Sequence, residues 1–383
     1  MLRCRLSLLL LFCPMLTAFG AAQTPNDVAN LALRARADSN DPMAHFALAV
    51  AYLERKQYAD GEVVLNEAIA IDPQFAPGYF YLSAIPRKRS VQRMRVNVGG
   101  TPFEILVFGN DSVSRESRRL ARIAFYLNPL LDLGRPGPGV VPLAWKGGAD
   151  QAMDDFRARR FQEARNRLSD LISRSEGKSD SVATVFLWYR ALCAARLSRF
   201  DDAIKDLDRL RLRAGHDDAS QMMFARTWFS PDDYGFVIAF LHQLAGRRDD
   251  AVHAYQELLE RNIGLYTAHI RLAELHEQAQ DWPRAVAERQ RAVETNPDDP
   301  SLVYDLGATL QRAGRNAEAA EELQRAIQLN PRETRAYHAL GLAQLALDRP
   351  ADARTTFEQF IALAPSRYQS QLFDARWRLA QIQ

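Results

Sequence analysis

Apolar residues along this 383-residue chain recur at helical spacing, and the helical pattern itself then repeats as a block. Across residues 232–367 the block is 34 residues long and occurs four times without a gap. In the copy opening at Pro300, Leu306, Gly307, Leu310, Ala319, Leu323, Ala326 and Pro331 occupy steps 7, 8, 11, 20, 24, 27 and 32. The next copy opens at Thr334 and keeps Tyr337, Leu340, Gly341, Ala353, Phe357 and Pro365 in frame. A block of this length holds two amphipathic helices, and neither can bury its apolar stripe except against the other and against the next block. The period therefore predicts a solenoid of helical hairpins, an architecture that binds along an extended surface.

The punctuation agrees with that period. Gly307, Gly341, Ala273 and Ala239 on first helices are expected to meet Ala319, Ala353, Ala285 and Ala251 on second helices, with axes roughly 8 to 10 Å apart. Gly246 and Gly314 stand where a helix commonly ends in the left-handed region. Asn296-Pro297 and Asn330-Pro331 close two blocks, and Pro283 and Pro350 suit the opening turns of second helices.

At these residues the chain resembles the tetratricopeptide repeat (TPR) family. Residues 184–217 keep Leu187, Ala191, Ala203, Leu207 and Leu210, and a unit from about Trp145 keeps Ala152, Phe161, Ala164, Leu168 and Leu171. Residues 42–75 keep Leu48, Ala49, Tyr52, Leu65, Ala68 and Pro73, with Gly61 in place of the usual alanine. With a disrupted unit after that one, about eight repeats are expected, closed by a solvating helix over residues 368–383. The resemblance implies an all-α right-handed superhelix whose first-helix residues at steps 2, 5, 9, 12 and 13 line a groove for a partner's peptide. Those steps carry Val185, Trp188, Leu192 and Arg196, then Phe236, Phe240 and Gln243, an apolar and aromatic floor. Toward the C-terminus they carry Ile270, Glu274 and Glu277, then Tyr304, Gln311 and Arg312, then Arg335 and His338. A floor that runs from apolar to polar suits an extended or helical segment with an apolar anchor and a polar flank. The competing reading has Trp188, Phe236 and Phe240 covering segments that interrupt the repeat. Lysine and asparagine are absent from the groove steps, so the basic clamp some family members use for C-terminal carboxylates is not evident.

Two interruptions break the frame. Near the N-terminus, residues 91–109 read as a β-hairpin: Met94, Val96 and Val98 alternate with polar residues, Gly99-Gly100 supplies a tight turn, and residues 103–108 return as an apolar strand. Such a hairpin must pack on the helices, self-associate or meet a partner, since it is marginal alone. A Gly/Pro loop over residues 134–144 then separates N-terminal units at 23–133 from the array at 145–383. The second interruption, residues 214–231, carries Met222, Met223, Phe224, Trp228 and Phe229 outside the frame and is read as a plug on the array or a patch for a partner.

Residues 1–22 change the setting of the protein. Arg3 and Arg5 precede the apolar run 6–12 and the small residues Ala18, Gly20, Ala21 and Ala22, the layout of a secretory signal peptide. An exported location, periplasmic or extracellular, is expected, with an N-terminal membrane anchor as the alternative. Beyond this segment no stretch is apolar and long enough to cross a bilayer. Without Arg3 and Arg5 the chain holds 47 basic and 47 acidic residues, a balance that argues against nucleic acid as partner. Cys193 is the one cysteine outside the first 22 residues and reads as a buried small apolar side chain.

Catalytic signatures are absent: the chain has no Gly-x-Ser-x-Gly elbow, phosphate loop or Cys-x-x-Cys pair. His276-Glu277 begins a zinc-protease pattern, but Gln280 stands where its second histidine belongs. His242, His269 and His276 read as packing or polar groove residues, so no metal or cofactor is expected. The chain is thus expected to be a noncatalytic scaffold or assembly adaptor for other proteins or peptides in the cell envelope. Two alternatives are a small-molecule or glycan binder with an aromatic groove and a regulatory subunit of an enzyme on another chain.

Overall fold

The computed structural model describes residues 25–98, 101–108, 111–130, 143–176, 180–216 and 230–382. The signal-like segment, residues 134–142 of the Gly/Pro loop and the aromatic and methionine residues of the second interruption lie outside the described residues, while residues 143 and 144, expected in that loop, open a helix. Helix α1 (Pro25–Ala37) precedes eight helix pairs among the described residues. They are α2 (Pro42–Glu54) with α3 (Tyr58–Ile71), α4 (Ala76–Ser90) with α5 (Asp111–Leu127), α6 (Leu143–Arg157) with α7 (Phe161–Ser175), and α8 (Asp180–Arg196) with α9 (Phe200–His216). The series continues with α10 (Pro231–Leu244) and α11 (Arg248–Arg261), α12 (Tyr266–Gln278) and α13 (Trp282–Thr295), α14 (Pro300–Arg312) and α15 (Asn316–Leu329), and α16 (Thr334–Ala346) and α17 (Pro350–Leu363). Helix α18 (Gln369–Gln381) follows. Each helix from α7 to α18 packs on the one before it, α10 on α9 included. Between α4 and α5, β1 (Val91–Val98) pairs antiparallel with β2 (Thr101–Phe108), with Met94 opposite Ile105 and Val96 opposite Phe103.

Local chemistry sets the helix ends. Asp41, Asp281 and Asp299 cap α2, α13 and α14 by accepting from backbone N–H groups of the first turn, and proline sits in the opening turn of each. The turn inside seven of the eight helix pairs holds a left-handed residue, while α4 and α5 are joined through β1 and β2. Gly246 and Gly314 supply it at φ +73° and +78°. Lys56, Arg159, Ser198, Gln280 and Asp348 hold the same place at φ 57° to 62° without the freedom of glycine.

The close approach between paired helices differs in detail from the small-on-small expectation. A Cβ added to Gly307 would lie 2.7 Å from Leu323, and one added to Gly341 would lie 2.7 Å from the Phe357 ring. The glycines at step 8 therefore accommodate the large residue at step 24, and the alanines at step 20 pack beside that contact. Helix α18 also departs from a purely solvating cap: it buries Ala375, while Phe373 and Trp377 stand 74% and 55% exposed, one turn apart.

Helices α1 to α5 have a core of their own, built on Phe46, Leu48, Leu65, Phe75, Leu82 and Ile85 with Leu120 of α5 packed against it. This N-terminal block lies against the array instead of extending away from it. Asn40 donates to the Leu363 carbonyl at 2.9 Å, Asn330 donates to the Ala70 carbonyl at 2.9 Å, and Gln74 donates to Asp305 at 3.2 Å. Arg332 donates to Asn40 Oδ1 at 2.8 Å and to the Ser39 carbonyl. Arg367 pairs with Asp41 at 2.7 Å. At the other end of the block, α5 reaches α8, α10 and α12.

Candidate functional site

The first helices α8, α10, α12, α14 and α16 form one face of the array, and the last turn of α5 is inserted where the first three of them meet. Phe125 lies 6.5 Å, ring to ring, from Trp188, and Tyr126 meets Phe236 edge to face at 5.0 Å. The Tyr126 hydroxyl donates to Asp233, whose carboxylate also takes Arg122 Nη2 at 3.2 Å. Burial, with the Asp233 charge behind it, pushes the Tyr126 phenol above its ordinary range, so it stays a proton donor. Two guanidiniums then reach carbonyls at and just beyond the end of α5: Arg271 Nη2 donates to the Leu127 carbonyl at 2.9 Å, and Arg196 donates to the Leu130 carbonyl. A helix end leaves its last carbonyls without intrahelical partners and carries partial negative charge, so arginine is the matching group.

Asp233 does two jobs. It closes the capping box of α10, where Ser230 Oγ accepts from its backbone N–H and its carboxylate accepts from the Ser230 N–H at 2.6 Å. Its buried carboxylate is thereby aimed at α5. Asp233 stands at step 2 of the unit opening at Asp232, a groove step, yet it is not among the residues named for the apolar floor. The signal that points to it is Ser230-Pro231-Asp232-Asp233, a capping-box spacing directly ahead of an apolar run.

Of the residues assigned to the groove, Trp188, Arg196 and Phe236 meet α5, and most of the others pair or pack within the array. Phe236 is fully buried, between Tyr126 and Tyr255. Phe240 is 8% exposed and lies under the Arg271 guanidinium at 5.0 Å. These two rings therefore do not form an open stacking platform. Gln243 donates to Glu274 at 3.1 Å and accepts from the Tyr255 hydroxyl at 3.3 Å. Val185 and Leu192 are half-buried on α8.

Further along, the face becomes a ladder of charges. Arg289, buried, pairs with Glu277 at 3.1 Å and Asp305 at 3.2 Å. Arg312 pairs with Glu277 at 2.9 Å, and Thr309 donates to it at 2.6 Å. Arg335 holds Glu333 at 2.7 Å and lies 4.5 Å over the Tyr304 ring. His338 Nε2 is 2.9 Å from Asp374 of α18, and burial holds its pKa below the ordinary value. Gln311 is half-buried, and Ile270 is in the core. His269 is buried, with Nδ1 2.6 Å from Glu288. Among the described residues no group of three His, Cys, Asp or Glu could hold a metal ion, and no helix is long and apolar enough to cross a membrane. Cys193 is buried.

Stacked helical hairpins with a continuous first-helix face define an α-solenoid. Three sequence profiles described as Tetratricopeptide repeat match residues 26–74, 149–219 and 242–300, residues 272–339, and residues 335–366, together more than half of the chain. The chain belongs to the tetratricopeptide repeat family. Similar solved structures include a MamA from AMB-1, at 19% identity and TM-score 0.37 over 48% of this chain and 92% of that one. Another is MamA 41-end from Desulfovibrio magneticus RS-1, at 16% identity and TM-score 0.39 over 47% and 94% of the two chains. The C-terminal part of a TPR repeat-containing protein from Cytophaga hutchinsonii is similar at 17% identity and TM-score 0.46, over 59% and 84%. No curated protein matches the chain.

Proposed function

We propose that the protein is a noncatalytic scaffold of the cell envelope that holds partner proteins through helical or peptide segments on the first-helix face of its array. The observation that carries this reading is the seating of α5: an aromatic pair beside Trp188 and Phe236, with carbonyls at its end taken by Arg196 and Arg271. A face that accepts one helix by aromatic burial and charge-assisted hydrogen bonds has the chemistry to accept another. Location outside the cytoplasm is part of the proposal and rests on residues 1–22. Affinity capture from a native envelope extract tests the binding reading. Partners retained by the natural chain are expected to be lost from Trp188→Ala and Arg271→Ala chains, and equal retention by both variants excludes this face. N-terminal sequencing of the exported chain is expected to start just after Ala22; an intact Met1 would leave the anchor reading instead.

A further inference from the structure

The last turn of α5 is held differently from the rest of its helix. Leu120, nearer the middle, packs on the core of the N-terminal block. Phe125, Tyr126 and Leu130, by contrast, pack on two separate cores of the array. One helix thus belongs to two bodies, and the join falls between Leu120 and Phe125. Everything the array offers this end is suited to a ligand: a buried carboxylate for a phenol, aromatic rings for an aromatic pair, and two guanidiniums for carbonyl oxygens. Asn128 Oδ1 accepts from the Leu130 N–H at 3.2 Å, and with Pro129 it ends the helix, so the carbonyls of Leu127 and Leu130 are presented outward. Elsewhere the block is clasped by side-chain hydrogen bonds and ion pairs at Asn40, Gln74, Asn330, Arg332 and Arg367, and among the described residues its apolar cluster includes no side chain of the array.

We propose that the pocket between α8, α10 and α12 is a receptor for the C-terminal end of a helix bearing two adjacent aromatic residues, and that α5 occupies it as a reversible internal ligand. This deepens the scaffold reading and rests on it. A partner helix of the same chemistry competes with α5 for Asp233, Arg196 and Arg271. Because α5 is tethered, its effective concentration is high, and a modest intrinsic affinity keeps the pocket filled until such a partner arrives. The apparent affinity for an outside helix is reduced by the small fraction of chains in which the pocket is open.

The test uses the full chain and a labelled synthetic peptide of residues 111–130, read by fluorescence anisotropy. Arg122→Ala with Tyr126→Phe removes the bonds from α5 to Asp233 while keeping the Tyr126 ring, and this released chain is expected to bind the peptide about tenfold or more tightly than the natural chain. Tyr126→Phe alone, the milder change, is expected to shift affinity in the same direction and to speed hydrogen exchange at the last amides of α5. Adding Arg196→Ala and Arg271→Ala to the released chain is expected to cost about tenfold or more in peptide affinity. Equal binding by natural and released chains overturns the proposal, as does binding by neither or indifference to the two arginines. A chain that captures envelope partners but ignores the peptide defeats this inference alone. One that takes the peptide but captures no partner defeats the scaffold reading instead.

Discussion

Asp299 shows how docking of the N-terminal block changes single groups. Its carboxylate caps α14 by accepting from the Ser301 N–H at 2.9 Å. Burial pushes its pKa up from 3.8 to about 6, with the nearby charges of Asp305 and of Asp72, at the end of α3, acting in the same direction against the bonds from Ser301 and Leu302. The folded chain therefore binds this proton more tightly than the unfolded chain does. Its contribution to stability is fully present below the unfolded value and is lost as pH rises through about 6. The loss is about 1 to 3 kcal/mol, allowing for the partial exposure of the group. Asparagine also caps helices well and carries no proton to lose. Urea unfolding of Asp299→Asn is expected to give a stability that falls less between pH 4.5 and 7 than that of the natural chain; parallel profiles would remove Asp299 as the source. None of this is legible from residue type. The Asp298-Asp299 pair reads as ordinary solvated capping, and what raises the pKa is chiefly burial, then the charge of Asp305, then that of Asp72, which comes from a helix pair more than two hundred residues away.

At the scale of the helix, the frame was readable because it is enforced locally. Step 15 of each regular unit must turn left-handed, and glycine at Gly246 and Gly314 shows it directly in the sequence. At Gln280 the same backbone is adopted by a residue that gives no hint of it, at φ 58°. A side chain there costs roughly 1 to 2 kcal/mol of backbone strain, while glycine loses roughly 0.5 to 1 kcal/mol more entropy on folding. Gln280→Gly is therefore expected to stabilise the chain by about 0.5 to 1 kcal/mol, and Gly314→Ala to destabilise it by about 1 kcal/mol, in urea midpoints measured side by side. A drop in stability for Gln280→Gly would mean that the side chain makes contacts outweighing the strain. The pairing of glycine with large residues was less legible: the sequence shows that Gly307 and Gly341 are small, but not that Leu323 and Phe357 are the groups that need the space.

At the scale of the whole molecule, periodicity says which helices pair with their neighbours and nothing about which distant surfaces meet. The contacts between block and array are made by side chains such as Asn40, Gln74 and Asp233 that stand outside the apolar frame, which is why the groove steps could name Trp188, Arg196 and Phe236 without naming what covers them. Those contacts differ in kind from the ones within each body. Inside the block and inside the array, helices share buried aliphatic and aromatic cores. At the far clasp, by contrast, Arg332 and Arg367 hold Ser39, Asn40 and Asp41, and Asp38 accepts from Ser366 Oγ at 2.9 Å. Exposed ion pairs and hydrogen bonds of this sort contribute about 1 kcal/mol or less each and are weakened by salt, whereas the cores are not. The block should then loosen from the array before either unfolds, as a sub-global opening of lower free energy. Replacing both arginines, Arg332→Ala with Arg367→Ala, is expected to speed amide hydrogen exchange across α1 to α3 several-fold while leaving α10 to α15 unchanged, and high salt should act on the natural chain in the same direction. If exchange rises equally in block and array, the clasp is part of one cooperative unit, and α5 could not leave its pocket without unfolding the helices that form it.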